Sequence, residues 1–223
     1  MSERQLKQLQ TQIIDCQKCS RLVSYLEKIK QEHPGWWCRP VPLLLGANTQ
    51  ILIVGLAPSK TGANQYGRMF TGDQSAHFLY RVLYKAGLAN QAQSLHEDDG
   101  LQLTGASMTA VARCAPPQNK LTAHEIKNCL PYLKQEIDCL SQLKCFVALG
   151  RIAHDGILEV LQFSKKMYPF AHGKAHQLNQ NQWILFDAYH PSPQNVNTGR
   201  LTEKMLLQVF ENARYYAASG RLK

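Results

Sequence analysis

Residues 51–59 read Ile-Leu-Ile-Val-Gly-Leu-Ala-Pro-Ser, and the chain continues Lys60-Thr-Gly-Ala-Asn-Gln-Tyr-Gly-Arg68-Met-Phe70-Thr-Gly-Asp73-Gln-Ser75. A short apolar run stops at Gly55 and empties into a long polar loop punctuated by Gly62, Gly67 and Gly72. In an open α/β sheet, ligands bind where loops leave the C-terminal ends of strands. Glycines in such a loop let backbone approach a ligand closely. The loop holds one aromatic ring, Phe70, and one carboxylate, Asp73, the only one between Gly55 and Glu97. It is not a phosphate-binding P-loop, because no Gly-Lys-Ser/Thr follows, and it lacks the G-x-G-x-x-G dinucleotide fingerprint. The competing reading is a long surface loop with turn glycines.

Working outward, the pattern predicts four strands: Ile51–Val54, Met108–Ala112, Cys145–Leu149 and Trp183–Ala188. Helical spacing runs through residues 3–31, with Leu6, Leu9, Ile13, Leu22, Leu26 and Ile29 as apolar markers. Further helices are predicted over Ala76–Ala86, Thr122–Leu140 and Lys204–Ala218, and Thr122 with Glu125 forms a capping box. Strands alternating with helices argue for a mainly parallel sheet with helices on both faces. Each strand empties into a loop rich in functional groups. After the first come Gly55 and Ala57, and after the second Cys114 to Asn119. The third is followed by Gly150 to His154, and the fourth by His190 to Asn195. A parallel sheet puts all four loops on one edge.

The 223 residues suffice for one domain with a full core, and 44% are hydrophobic. No run approaches the ~18–20 apolar residues of a membrane span. The polar start, Met-Ser-Glu-Arg-Gln-Leu-Lys-Gln, lacks the apolar region of a signal peptide, so a cytoplasmic location is expected. A formal charge of +9 suits a polyanionic partner such as nucleic acid, without proving one.

Seven cysteines in a reducing compartment point away from disulfides and toward metal. Cys16 and Cys19 form C-x-x-C, while Cys114 and Cys129 lie fifteen residues apart. Four thiolates can hold zinc or an iron–sulfur cluster, and spacing does not choose between them. A lone C-x-x-C is equally open to redox chemistry. Cys38, Cys139 and Cys145 read as structural.

Four elements in order resemble one family. They are the early C-x-x-C, the Gly-Leu-Ala-Pro and Gly-Arg-Met-Phe-Thr-Gly-Asp-Gln-Ser pair, Arg-Cys-Ala-Pro-Pro-Gln-Asn-Lys, and His-Pro-Ser-Pro-Gln-Asn-Val-Asn-Thr-Gly-Arg-Leu-Thr. Together, from about Cys16 to Thr202, the chain resembles a family 5 (type B) uracil-DNA glycosylase. Leu56 stands where the related family 4 carries an acid. Ala76 after Ser75, and Leu121 after Asn-Lys, depart from the pattern.

The resemblance implies a single α/β domain over residues 1–223, a three-layer α/β/α sandwich around a four-stranded sheet. It implies a 4Fe–4S cluster on Cys16, Cys19, Cys114 and Cys129 that ties the N-terminal helical segment, about residues 1–31, to the core. It also implies an enzyme removing uracil and other deaminated bases from DNA. The absence of an identifiable activated lysine points to a monofunctional enzyme, and a monomer is expected. The alternative is an iron–sulfur or zinc protein that binds nucleic acid without cutting a glycosidic bond.

On that reading Asp73 and His190 are catalytic. Gly55, Ala57, Phe70 and Asn119 hold the base, while Arg68, Ser192, Arg200 and Leu201 meet the DNA. Arg68 has the competing fate of a solvated cation, and Leu201 is either a wedge or the first core residue of the last helix. The ordinary alternatives for Asp73, Asn119 and His190 are an Asx-turn, a cap and a hydrogen-bonded loop histidine.

Overall fold

The computed structural model describes residues 3–178 and 183–222. Five strands form one sheet: β1 (Ala47–Gly55), β2 (Thr104–Ala110), β3 (Cys145–Leu149), β4 (Ala175–Leu178) and β5 (Trp183–Ala188). Their spatial order is β2-β1-β3-β5-β4. The β1–β2, β1–β3 and β3–β5 pairs are parallel, and β4 runs antiparallel to β5 at one edge. The expected four-stranded sheet is therefore corrected to five.

Side chains along a strand alternate between faces, and the core divides accordingly. Ile51, Ile53, Cys145, Val147, Ile184 and Phe186 face one way, into a core shared with α4 (Gln74–Lys85) and α8 (Glu203–Ser219). Leu52, Val54, Phe146, Ala148 and Leu185 face the other way, into a core shared with α1 (Glu3–Ile14), α5 (Ala123–Cys139) and α6 (Arg151–Val160). Every residue of β3 is buried, as a central strand covered on both faces requires. The result is a helix–sheet–helix sandwich.

The N-terminal helical pattern is two helices rather than one. The chain breaks after α1 and resumes as α2 (Ser20–Glu32), with Cys19 at its N-cap. Residues 151–154, expected in a loop, begin α6 directly after Gly150. The capping box at Thr122 is present, with Glu125 closing it.

Candidate active site

A cleft of about 660 Å³ opens at the C-terminal edge of the sheet. Its lining includes Leu56, Ala57, Ser59, Phe70, Asp73, Asn119, His190 and Ser192. They come from three loops: the one after β1, interrupted by the short helix α3 (Ala63–Tyr66), and those after β2 and β5. They meet because β1, β2 and β5 are parallel and release their chains on the same side.

Gly55 ends β1 beneath the Phe70 ring. A Cβ there would sit 2.9 Å from two ring carbons, so only glycine admits the ring in this position. Phe70 itself takes a left-handed backbone, φ 50°. That conformation is costly for a bulky residue and concentrates at functional sites. The Phe70 ring centroid lies 6.0 Å from that of His190, tilted by 33°.

Asp73 is the N-cap of α4. Its Oδ1 accepts the Ala76 N–H at 2.8 Å, and its Oδ2 accepts the Ser59 hydroxyl at 2.5 Å. Gly62 packs close enough that a Cβ would lie 2.5 Å from Oδ2. The carboxylate is thus fixed on three sides while still lining the cleft, where it is the only carboxylate among the described lining residues. Leu56 keeps the neighbouring wall apolar. The Ser59 hydroxyl, which no sequence motif marks as a site group, is what orients Asp73.

Burial pushes the His190 pKa down, and the Asp73 charge only partly opposes this. The imidazole is therefore neutral near pH 7, with one N–H to donate. Its backbone carbonyl accepts the Asn195 side-chain amide at 2.8 Å. Ser192 caps the short helix α7 (Pro193–Asn197), accepting the Asn195 N–H at 3.4 Å. Asn195 thus ties the His190 loop together.

Asn119 ends a 3₁₀ turn, Pro117–Asn119, in which Gln118 and Asn119 both have positive φ, 54° and 57°. Asparagine tolerates this conformation better than most residues. The turn holds the exposed amide at the cleft.

Two expected DNA contacts are corrected. The Arg68 guanidinium is buried and committed inward. It makes two hydrogen bonds to Asp99, at 2.7 and 2.8 Å, and others to Ser94, Thr71 and the Glu97 carbonyl. Leu201 is 1% exposed and packs in the α4/α8 core, so it is no exposed wedge. Arg200, one residue earlier, is exposed. Its guanidinium carbon lies 4.5 Å from the centre of the Tyr189 ring, and that ring also stacks on His172 at 4.9 Å.

Cys16, Cys19, Cys114 and Cys129 line one pocket, drawn from the α1–α2 break, the loop after β2 and α5. Arg113 beside Cys114 is buried and paired with Glu136 of α5 at 2.6 Å, which fixes that loop against the helix carrying Cys129. The Glu125 carboxylate on the same pocket is engaged by Arg21 at 2.7 Å. Four free thiols are therefore the available donors. Cys38 and Cys145 are buried elsewhere, and Cys139 lies apart on α5.

Among the described residues, His154, His176 and Asp187 bring three ligand atoms within 4.8 Å of one another. Those atoms are already hydrogen-bonded together. Asp187 bridges His154 Nδ1 at 2.7 Å and His176 Nε2 at 2.9 Å, and His154 Nε2 reaches the Tyr168 carbonyl at 2.7 Å. This is a closed polar network inside the β4–β5 edge.

Residues 43–214 match the Uracil DNA glycosylase superfamily. The chain is 42% identical over 207 residues to the Type-5 uracil-DNA glycosylase of Thermus thermophilus, covering 91% of this chain and 94% of that one. It is 39% identical over 205 residues to the Type-5 enzyme of Pyrobaculum aerophilum, covering 90% and 88%. A Type-4 uracil-DNA glycosylase of Sulfurisphaera tokodaii is more distant, at 26% over 215 residues, covering 93% and 84%. By sequence, the chain belongs to the uracil-DNA glycosylase superfamily and groups with its Type-5 members.

Proposed function

We propose that this chain is a monofunctional DNA repair glycosylase. It extrudes uracil, and other deaminated bases, from DNA and hydrolyses the N-glycosidic bond to leave an abasic site. The observation that carries the reading is the pairing of Asp73 and His190 across one cleft roofed by Phe70.

Reaching a base inside a duplex requires flipping the nucleotide out, at a cost of roughly a few kcal/mol. Phe70 offers a stacking face, worth ~1–3 kcal/mol per base and tolerant of base identity. Cleavage leaves the sugar oxocarbenium-like and the departing base anionic. The Asp73 carboxylate, fixed by Ser59 and the Ala76 N–H, supplies negative charge at the sugar and can orient the attacking water. His190, as neutral imidazole, donates its N–H to a base carbonyl oxygen as charge develops there. Backbone amides of the Gly55–Ser59 turn, including Ala57, add donors of the oxyanion-hole kind. Asn119 carries both a donor and an acceptor for a base edge. Because these groups are held before substrate arrives, little reorganisation accompanies the reaction.

The four-thiol pocket fits a 4Fe–4S cluster, since thiolate sulfur is its usual ligand. Cys16, Cys19, Cys114 and Cys129 would hold it. Once bound, it would crosslink the α1–α2 segment to the β2 loop and α5, a structural contribution away from the reacting atoms. The reading requires one copy of the chain.

The test is incubation with uracil-containing DNA followed by alkali, which cleaves abasic sites. Strand scission at uracil alone is the expected result. Tight DNA binding with no alkali-labile site would favour the alternative of a non-catalytic nucleic-acid-binding protein.

A further inference from the structure

Beside the catalytic cleft runs a second groove of about 420 Å³. It shares Gln74, His77 and Pro193 with the cleft, so the two form one continuous depression. Pro193 and Val196 of α7 give it an apolar surface, and the buried Phe78 of α4 lies beneath Arg81. The amides of Gln93 and Asn197 edge the groove, and the Arg81 guanidinium lies 5.7 Å from the centre of the Phe78 ring. No carboxylate occurs among its described lining residues.

The wall carrying Gln93 is anchored unusually well for a surface loop. Ser94 is fully buried. Its hydroxyl meets Arg68 at 2.8 Å and Thr71 at 2.7 Å, and its carbonyl accepts the Gly72 N–H at 2.9 Å. Asp99 closes the same loop through the Arg68 ion pair, with both side chains under 10% exposed. The groove wall is therefore bolted to the loop that presents Phe70 and Asp73. Breaking a buried pair of this kind leaves an uncompensated charge, so the wall keeps its position relative to the cleft.

An apolar surface, two amides able to donate and accept, and one cation are the complement of a nucleotide: a base face, a base edge and a phosphate. A third depression of similar volume, about 420 Å³, makes the contrast. It carries two carboxylates, Asp15 and Glu27, against one cation, Arg39, which is already paired with Asp15.

We propose that the second groove is a subsite for a nucleotide adjacent to the one excised. Its base rests on Pro193 and Val196, its edge meets Gln93 and Asn197, and its phosphate meets Arg81. The excision rate then depends on the neighbouring base as well as on the damaged one. This rests on the glycosylase reading for the identity of the neighbouring cleft.

The experiment uses uracil oligonucleotides in which the base on the 5′ or the 3′ side is replaced by a baseless tetrahydrofuran spacer. Equilibrium binding and subsaturating single-turnover excision are both measured. Losing the apolar contact and the edge hydrogen bonds together, the spacer on one side should weaken both readouts about five- to tenfold, with little effect on the other side. In the Gln93→Ala/Asn197→Ala double variant, which removes the edge contacts and leaves the apolar surface, the intact substrate should weaken about two- to threefold and the spacer penalty should shrink by the same factor. Both residues are exposed, so the variant is expected to fold normally. Indifference of the wild type to both spacers overturns the subsite, as does a spacer penalty undiminished in the variant. A penalty seen in binding without any excision would keep the subsite and instead remove the glycosylase reading.

Discussion

The Ser59 hydroxyl donates to Asp73 Oδ2 at 2.5 Å while Asp73 Oδ1 caps α4 through the Ala76 N–H. One carboxylate thus serves the fold and, on the proposed reading, the chemistry. The two roles separate by substitution. Asparagine caps helices about as well as aspartate, so Asp73→Asn should leave urea stability within about 1 kcal/mol of wild type. Its uncharged amide no longer stabilises a cationic sugar. The single-turnover rate should fall by roughly 10²-fold or more, with DNA affinity little changed. A near-wild-type rate would remove Asp73 from the mechanism. Asp73→Ala should lose the rate and also about 1 kcal/mol of capping.

The contact between Gly55 and Phe70 gives a second test. In Gly55→Ala the new methyl meets the ring at 2.9 Å, so the ring must shift. Because stacking is indifferent to base identity, excision of uracil and other deaminated bases should fall together. Asn119→Ala should instead change their ranking. Uniform loss in both variants would argue that Asn119 does not read the base edge.

Much of this was legible in the sequence. Four strands, and the meeting of three of their loops on one sheet edge, followed from apolar runs broken by glycine and proline. What failed did so for physical reasons. The fifth strand, Ala175–Leu178, buries a histidine, and His176 satisfies its polarity through Asp187 rather than through an apolar pattern. No glycine or proline marks the split between α1 and α2; its only trace is the nine-residue gap from Ile13 to Leu22, which would put the two apolar sets on opposite sides of one continuous helix. Arg68 and Leu201 lie in the expected loops but point inward. Sequence gives the neighbourhood of such a residue, whereas its direction is set by tertiary partners such as Asp99.

The His154–Asp187 pair predicts a pH dependence of stability. Burial lowers the His154 pKa, but the Asp187 hydrogen bond and charge, with the Tyr168 carbonyl, outweigh it and the net shift is upward. Acceptors at both ring nitrogens fit an imidazolium. The groups facing it are Asp187 of β5, His176 of β4 and Asp155 on its own helix. A raised folded pKa means the stabilisation is fully present below about pH 6.5 and is lost as pH rises through the folded value. Urea unfolding between pH 6 and 9 should show this decline in the wild type and a flatter profile in His154→Gln. Parallel profiles would show that His154 stays neutral.

Four cysteines on one pocket predict an iron-containing protein. Freshly purified chain should be brown and carry about four irons. Cys16→Ser or Cys129→Ser should lose iron and lower the melting temperature, since each releases one end of the crosslink. Stoichiometric zinc without iron, in protein made under iron-replete conditions, would sink the cluster.

Arg200 is presented on an aromatic shelf. Its guanidinium rests on Tyr189, whose ring stacks on His172, and the Tyr189 N–H donates to His172 Nδ1 at 3.0 Å. Burial lowers the His172 pKa, consistent with the neutral ring that this acceptor role needs. If Arg200 meets a phosphate, Arg200→Ala should weaken DNAs of different sequence alike and flatten the log-affinity against log-salt slope by about 0.9. Tyr189→Leu removes the shelf beneath the cation and should weaken binding by roughly two- to fivefold, the scale of an exposed cation–π contact. Tyr189→Phe keeps the ring and should bind like wild type. The decisive comparison is Tyr189→Leu in the Arg200→Ala background. A shelf that acts only through Arg200 has no further effect there, whereas an equal loss in both backgrounds means that Tyr189 supports DNA binding by another route.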